Sequence, residues 1–356
     1  MKRKLVVGID ELKMGMILAQ DIINSNGICL LSEGFEFNDI SKIKDVLLSH
    51  NIQEVKVVIE EGMDEIYTKE YFEIYDFRKD MNTLLDGLKK DFYCIESGQE
   101  IKKEGFEKTI QNAIDSCNGN FNLFKLINQV KDMNDYIYMH SMTVTLISYQ
   151  IGKWINLSEE ELKELTLAAI LSDLGKIKIS KQIIEKPDIL IKEEYEEIKK
   201  HCILGYNMVK NTCGINNKIK RAVLEHHERI DGSGYPKGKR GEEISLYAKI
   251  IAIADVYSAL TSKRPYRDRK TPFEAIKILE KEFLSKLDTK LLYLFLKKIA
   301  GEYLGSKIIL DDGREATIVF IPSQNISRPL LKIQEGDEII DLSSSENSKL
   351  YIKAFL

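Results

Sequence analysis

Two adjacent imidazoles, His226 and His227, are followed by Glu228 and then by Asp231-Gly-Ser-Gly-Tyr235-Pro236. Imidazole is the commonest ligand of transition metals. A glycine-rich loop lets backbone come close to a phosphate or a base. The chain has five histidines. His140, His201, His226 and His227 fall in one stretch that also holds Asp173 and Asp255 inside apolar runs, and only His50 lies elsewhere. Four imidazoles and two carboxylates suit a dinuclear site for Fe, Mn or a similar borderline-hard metal. Cysteine is absent from this set unless Cys202 joins, which argues against a structural zinc site. Two metals flanking a hydroxide are suited to attack on a phosphodiester.

Each residue alone has a plainer reading. Asp255 lies in the apolar run Ile250–Leu260, where an unpaired carboxylate is costly or becomes protonated. A bound cation removes that cost, and so does a buried Arg or Lys. Asp173 follows Leu167–Leu171, and alone it reads as a helix-end aspartate paired with Lys176. His226 shares a helical face with Ile219, Ala222 and Val223, where a lone histidine is usually a satisfied core residue. His201 sits one position from the stripe Ile191, Tyr195, Ile198 and Cys202, and His140 follows Tyr136-Ile-Tyr138. Either alone reads equally well as a surface or outer histidine. Their grouping favours the metal.

The elements that must position them are helical. Residues 134–304 read as almost entirely helical. Ser158-x-x-Glu161 forms a capping box, with Leu157 and Leu162 as its staple, and Gly175 is expected to close that helix. Leu162, Leu165, Ala169 and Ser172 share one face. Residues 1 to about 60 read as strand-rich. Met16–Ala19 and Ile28–Leu31 flank the turn Asn24-Ser25-Asn26-Gly27. A helix over Ser41–His50 and a strand over Val55–Ile59 follow. Residues 61–80 read as a polar linker, and 80–130 as helical with a break at Asn118-Gly-Asn120. After Gly305, Lys307–Leu310 and Ala316–Ile321 form a hairpin about Asp311-Asp312-Gly313. Further short strands are expected near Leu330 and Tyr351.

The 356 residues, 44% hydrophobic and 30% charged, allow two or three domains and a sizeable core. The formal net charge of −4 advertises neither a nucleic-acid polymer nor a membrane. Five cysteines without a CxxC pair fit a reduced, cytoplasmic compartment. The apolar stretch Leu5–Val7 is too short for a signal peptide, and no window approaches a membrane span.

Residues 134–283 resemble an HD-GYP domain, a branch of the HD superfamily of metal-dependent phosphohydrolases. The matching pieces are Tyr136-Ile-Tyr-Met-His140-Ser141, Ser172-Asp173-Leu-Gly175-Lys176, Lys200-His201 with Leu204-Gly205, and His226-His227-Glu228-Arg229. Asp231–Pro236, Ala254–Ser262 and Arg264-Pro-Tyr-Arg267 complete them. Residues 1–60 resemble, more weakly, a small domain often found ahead of HD-GYP domains, through Leu12-Lys-Met-Gly-Met16.

The resemblance implies an α+β multidomain chain: an all-α HD-GYP core over 134–304, a β-rich N-terminal domain over 1–62, a helical linker region over 63–133 and a small β unit over 305–356. It implies a phosphodiesterase that hydrolyses cyclic di-GMP to pGpG or GMP, with two divalent ions, Fe or Mn. Carried over by position, His140, Asp173, His201, His226, His227 and Asp255 are the metal ligands, with Asp173 bridging. Asp173 and Lys176 are the catalytic candidates. Lys176, Gly234, Tyr235, Pro236, Arg264 and Arg267 are the substrate contacts. Planar guanidinium forks suit phosphate and the guanine edge, although these arginines, unaided, read as a solvated basic loop.

One departure matters. Where the family carries His-Asp, this chain has Ser172-Asp173, and a hydroxyl is a poor ligand beside imidazole. Tyr136 stands where some members place a carboxylate for a third metal, so no third metal is expected. The functional expectation is a modified phosphodiesterase. The alternatives are a cyclic di-GMP receptor or scaffold without catalysis, and a phosphohydrolase of another nucleotide. A homodimer or a signalling-protein partner is left open.

Overall fold

The structure is a computed structural model. It describes all residues except 1–2, 10–11, 13–15, 24–28, 38–39, 51, 60–64, 118–122, 125–126, 128–135, 185, 187, 263–268, 335, 337 and 356. The chain divides into two compact units, Met1–Glu73 and Ile74–Leu356.

In the first unit, strands β1 (Arg3–Gly8), β2 (Ile17–Leu18) and β5 (Glu54–Ile59) form an antiparallel sheet in the order β1-β5-β2. Strands β3 (Ile22–Ile23) and β4 (Cys29–Leu31) form a separate pair, and α1 covers Ile40–Ser49. The alternation in β5, with Val55 and Val57 buried and Glu54 exposed, is that of a half-buried strand. The expected hairpin is displaced. Cys29–Leu31 pairs with Ile22–Ile23, while Ile17–Leu18 pairs with β5. The turn tetrapeptide itself lies outside the described residues except in its flanks. Leu12 and Met16, the ends of the weaker resemblance, are buried.

The supposed polar linker is mostly helix. Helix α2 runs Glu65–Glu96, and from Phe77 onward it carries the buried stripe Phe77, Met81, Leu84, Leu88, Phe92 and Ile95. That i, i+3/i+4 spacing is an amphipathic face. Helix α3 (Lys103–Ser116) follows.

The second unit continues with α4 (Tyr136–Trp154), α5 (Glu159–Leu171), a 3-10 turn over Leu174–Lys178, α6 (Lys181–Ile184), α7 (Lys192–Lys199), α8 (His201–Val209), α9 (Asn217–Glu225), α10 (Leu246–Thr261), α11 (Pro272–Glu282) and α12 (Thr289–Gly301). Its core is formed by α4, α5 and α10, whose side chains are buried almost all round. The capping box at Ser158 forms as expected, with Glu161 N donating to Ser158 Oγ and Ser158 N donating to the Glu161 carboxylate. Gly175 does not close α5. The helix ends at Leu171, and Gly175 serves a close approach described below.

The C-terminal strands β6 (Lys307–Leu310), β7 (Glu315–Phe320), β8 (Leu330–Ile333), β9 (Ile339–Asp341) and β10 (Ile352–Phe355) form one antiparallel sheet in the order β10-β6-β7-β8-β9. The β6–β7 turn places Gly313 at φ +91°, a left-handed conformation that suits glycine. Strand β9 was not expected. Phe355 packs on Tyr303 with ring centroids 5.0 Å apart, joining this sheet to the helical core. The fold is thus mostly helical with several small sheets. Among the described residues, no helix is long and apolar enough to cross a membrane.

Candidate metal centre

Six residues from five places in the chain converge. His140 lies on α4, Asp173 follows α5, and His201 opens α8. His226 and His227 end α9, and Asp255 lies on α10. His140, Asp173, His201 and His226 are each buried to 4% exposure or less.

The hydrogen bonds fix two tautomers. His201 Nδ1 donates to the Ile198 carbonyl at 2.7 Å, and His226 Nδ1 donates to the Val223 carbonyl at 2.9 Å. A carbonyl can only accept, so each Nδ1 carries the proton and each neutral ring turns a lone pair out at Nε2. Those two Nε2 atoms face each other at 3.2 Å. Burial pushes His201 down to about 3 and lowers His226 too, so protonation does not relieve the opposition. A cation between them does. Backbone-anchored Nδ1 with free Nε2 is the usual arrangement of a metal-binding histidine.

The carboxylates divide their oxygens. Asp173 Oδ1 lies 3.5 Å from His201 Nε2 and 3.9 Å from His226 Nε2, while its Oδ2 lies 3.7 Å from His140 Nε2. Asp255 Oδ1 lies 2.9 Å from His140 Nε2, and its Oδ2 lies 3.7 Å from His227 Nδ1. Asp173 therefore stands between two donor sets, one at His201–His226 and one at His140–Asp255. Burial raises both carboxyls, but Lys176 and the surrounding imidazoles outweigh it for Asp173, as do His140 and Lys176 for Asp255. Both are held below the ordinary carboxylate range. Lys176 Nζ sits 2.7 Å from Asp173 Oδ2, so the ion pair expected of a lone helix-end aspartate is present as well.

Two glycines permit this convergence. A Cβ on Gly175 would lie 2.0 Å from the His201 carbonyl oxygen and 2.6 Å from Gly205 N. The 3-10 turn after Asp173 thus lies against the backbone of α8, which brings His201 to Asp173. A Cβ on Gly234 would lie 2.5 Å from Glu228 Cα and 2.4 Å from Arg229 N. That fold-back lets Tyr235 N donate to the His227 carbonyl and stacks the Tyr235 ring on His227, with centroids 4.7 Å apart. Pro236 follows through a cis peptide bond.

Two site-building residues lie inside the matching pieces without a role assigned to them there. Ser258 Oγ lies 3.0 Å from His140 Nδ1. It is three residues after Asp255, on the same helical face, and that spacing was its signal. Glu228, 2% exposed, accepts from Lys237 N at 2.7 Å and Lys239 N at 2.9 Å. It ties the glycine-rich loop to the end of α9. Glu228→Gln replaces one acceptor with an NH2 group facing a backbone N–H. Urea unfolding of the variant is expected to show a loss of about 1–3 kcal/mol, with metal content unchanged; undiminished stability would count against this role.

Ser172 is buried, and its Oγ donates to the Ala169 carbonyl at 2.7 Å. Arg264 and Arg267 lie outside the described residues, as does the side chain of Tyr136.

Residues 125–291 match the family model described as HD domain. The chain is 31% identical over 205 residues to the cyclic di-GMP phosphodiesterase PA4108 of Pseudomonas aeruginosa, covering 58% of this chain and 49% of that one. It is 32% identical over 179 residues to 3'3'-cGAMP-specific phosphodiesterase 1 of Vibrio cholerae, covering 50% and 41%. The chain thus spans about half the length, or less, of these curated relatives. Among solved structures it resembles Bd1817, an HDG"Y"P protein of Bdellovibrio bacteriovorus, at a TM-score of 0.50 and 16% identity, covering 83% of this chain and 99% of that one. That likeness concerns the fold alone.

Proposed function

We propose that residues 125–291, which match the HD domain model, form an HD domain of the HD-GYP type and that the chain is a metal-dependent phosphodiesterase of cyclic di-GMP. One observation carries the metal centre: the two oxygens of Asp173 are divided between two separate sets of donors. Two divalent ions, Fe or Mn, fit these sets, with His201, His226 and His227 around one and His140 and Asp255 around the other. Such ions supply an activated water and neutralise charge on a phosphodiester.

The chain's own groups do the rest. Asp173, kept ionised by Lys176 and the imidazoles, bridges the two halves. Lys176, part-buried beside Asp173, carries positive charge toward the phosphate oxygens. Tyr235, held on His227, shapes the nucleotide pocket with Gly234 and Pro236. Lys199 Nζ lies 5.6 Å from the Tyr235 ring centre. Hydrolysis forms one bond from water oxygen to phosphorus and breaks the bond to the ribose 3' oxygen, which takes up a proton. One such cleavage gives pGpG, and a second gives GMP. Arg264 and Arg267 add guanidinium contacts to phosphate or guanine. Arg264→Ala is expected to weaken cyclic di-GMP binding by calorimetry roughly ten- to a hundredfold, the loss of a charge-assisted hydrogen bond of about 1.5–3 kcal/mol. Unchanged affinity would remove Arg264 from the site.

Ser172 decides between enzyme and receptor. The metal-loaded chain is expected to cleave cyclic di-GMP, and Ser172→His to raise metal retention and rate together. Binding without cleavage in wild type, with clear turnover in the variant, would make the chain a receptor that has lost catalysis. A variant no better on either count would place residue 172 outside the metal shell. Supplying 3'3'-cyclic GMP–AMP in parallel, the substrate named for the Vibrio cholerae relative, separates the two dinucleotides; preferential cleavage of that nucleotide would overturn the assignment to cyclic di-GMP.

A further inference from the structure

We propose that Cys202 is a ligand of the ion held between His201 and His226, giving that half of the centre a mixed nitrogen, oxygen and sulfur shell. The inference rests on the metal-centre reading above and sharpens it. Cys202 follows His201 on the first turn of α8 and is fully buried. Its Sγ lies 3.5 Å from His201 Nε2, the atom whose lone pair faces His226. Cys202, His201, His226 and His227 each bring a ligand atom within 4.8 Å of the others. Among the described residues, no other cysteine joins such a group.

The separations fit a shared ion. At bond lengths of about 2.05 Å to imidazole nitrogen and about 2.3 Å to sulfur, tetrahedral geometry puts N and S roughly 3.5 Å apart and two nitrogens roughly 3.3 Å apart. The observed values are 3.5 Å for Cys202 Sγ to His201 Nε2 and 3.2 Å for His201 Nε2 to His226 Nε2. Asp173 Oδ1, 3.5 Å from His201 Nε2, adds an oxygen donor to those of Cys202, His201, His226 and His227. On binding, the thiol gives its proton to solvent and the sulfur donates an electron pair to the ion. Thiolate softens the shell, so this position favours Fe(II), Co(II) or Zn(II) over Mn(II).

The test is an anaerobic titration of the metal-free full chain with Co(II). Wild type is expected to show visible d–d bands and a near-ultraviolet sulfur-to-cobalt charge-transfer band. Cys202→Ser and Cys202→Ala should both lose the charge-transfer band, keep d–d bands, and bind Co(II) roughly tenfold or more weakly. Using two replacements, each checked by circular dichroism, guards against a folding defect in one. A chain with Cys29, Cys94, Cys117 and Cys213 all replaced by Ser should retain the band. Co(II) d–d bands without the charge-transfer band in wild type would overturn the Cys202 inference and leave the metal centre standing. So would a band that survives in the Cys202 variants. Failure of wild type to bind Co(II) would instead sink the metal-centre reading itself.

Discussion

Asp173→Ala is expected to leave the chain folded, empty both metal positions and abolish turnover. Asp173 sends one oxygen toward His201 and His226 and the other toward His140, so it reaches both halves of the site. Its loss also leaves the two imidazole lone pairs at 3.2 Å without the carboxylate that helps hold a cation between them. Changing a group that merely supports a metal ligand costs roughly 10–100-fold in affinity or activity, so loss of a bridging ligand should exceed 100-fold. Elemental analysis and product chromatography of the same preparation check this. Retained metal with lost turnover would recast Asp173 as acting through Lys176 alone.

Gly175→Ala should be the most damaging single methyl group in the domain. The added carbon would sit 2.0 Å from the His201 carbonyl oxygen, 2.8 Å from the His201 carbonyl carbon and 2.6 Å from Gly205 N. These are backbone atoms, so no flexible side chain can yield, and α8 must move away from the turn that carries Asp173. Ordinary overpacking costs about 1–3 kcal/mol. The cost here should reach or exceed the top of that range in urea unfolding, with metal binding lost because His201 moves with α8. Gly87→Ala is the control. It lies in the interior of α2, and its nearest added contact is an ordinary one at 3.9 Å. It should gain up to about 1 kcal/mol from helix propensity. Equal stability of the two variants would contradict the close-packing account.

The candidate site was legible from the grouping of its side chains. His140, His201, His226, Asp173 and Asp255 each had a plainer reading alone; their grouping, and then the resemblance, singled them out. What could not be read was how the chain brings them together. Gly175 looked like a helix terminator because glycine ends helices far more often than it permits two backbones to cross. Ser258 acts through His140, far away in sequence, Glu228 through backbone N–H groups that no side-chain pattern marks, and Cys202 had no metal spacing of its own. The helical body was legible from apolar periodicity and the capping box at Ser158. Helix α2 was read over 61–80 as a linker because charged residues are spread through that stretch. The pairing of Ile22–Ile23 with Cys29–Leu31 was missed because two-residue strands carry almost no alternation.

Metal stoichiometry tests the two-set centre most directly. Chains purified anaerobically with Fe(II) or Mn(II) supplied should contain two ions each. His226→Ala and Asp255→Ala should each retain one ion, from opposite halves, and Asp173→Ala none. A metal-free wild type, or the same metal content in all four proteins, would contradict a centre bridged by Asp173.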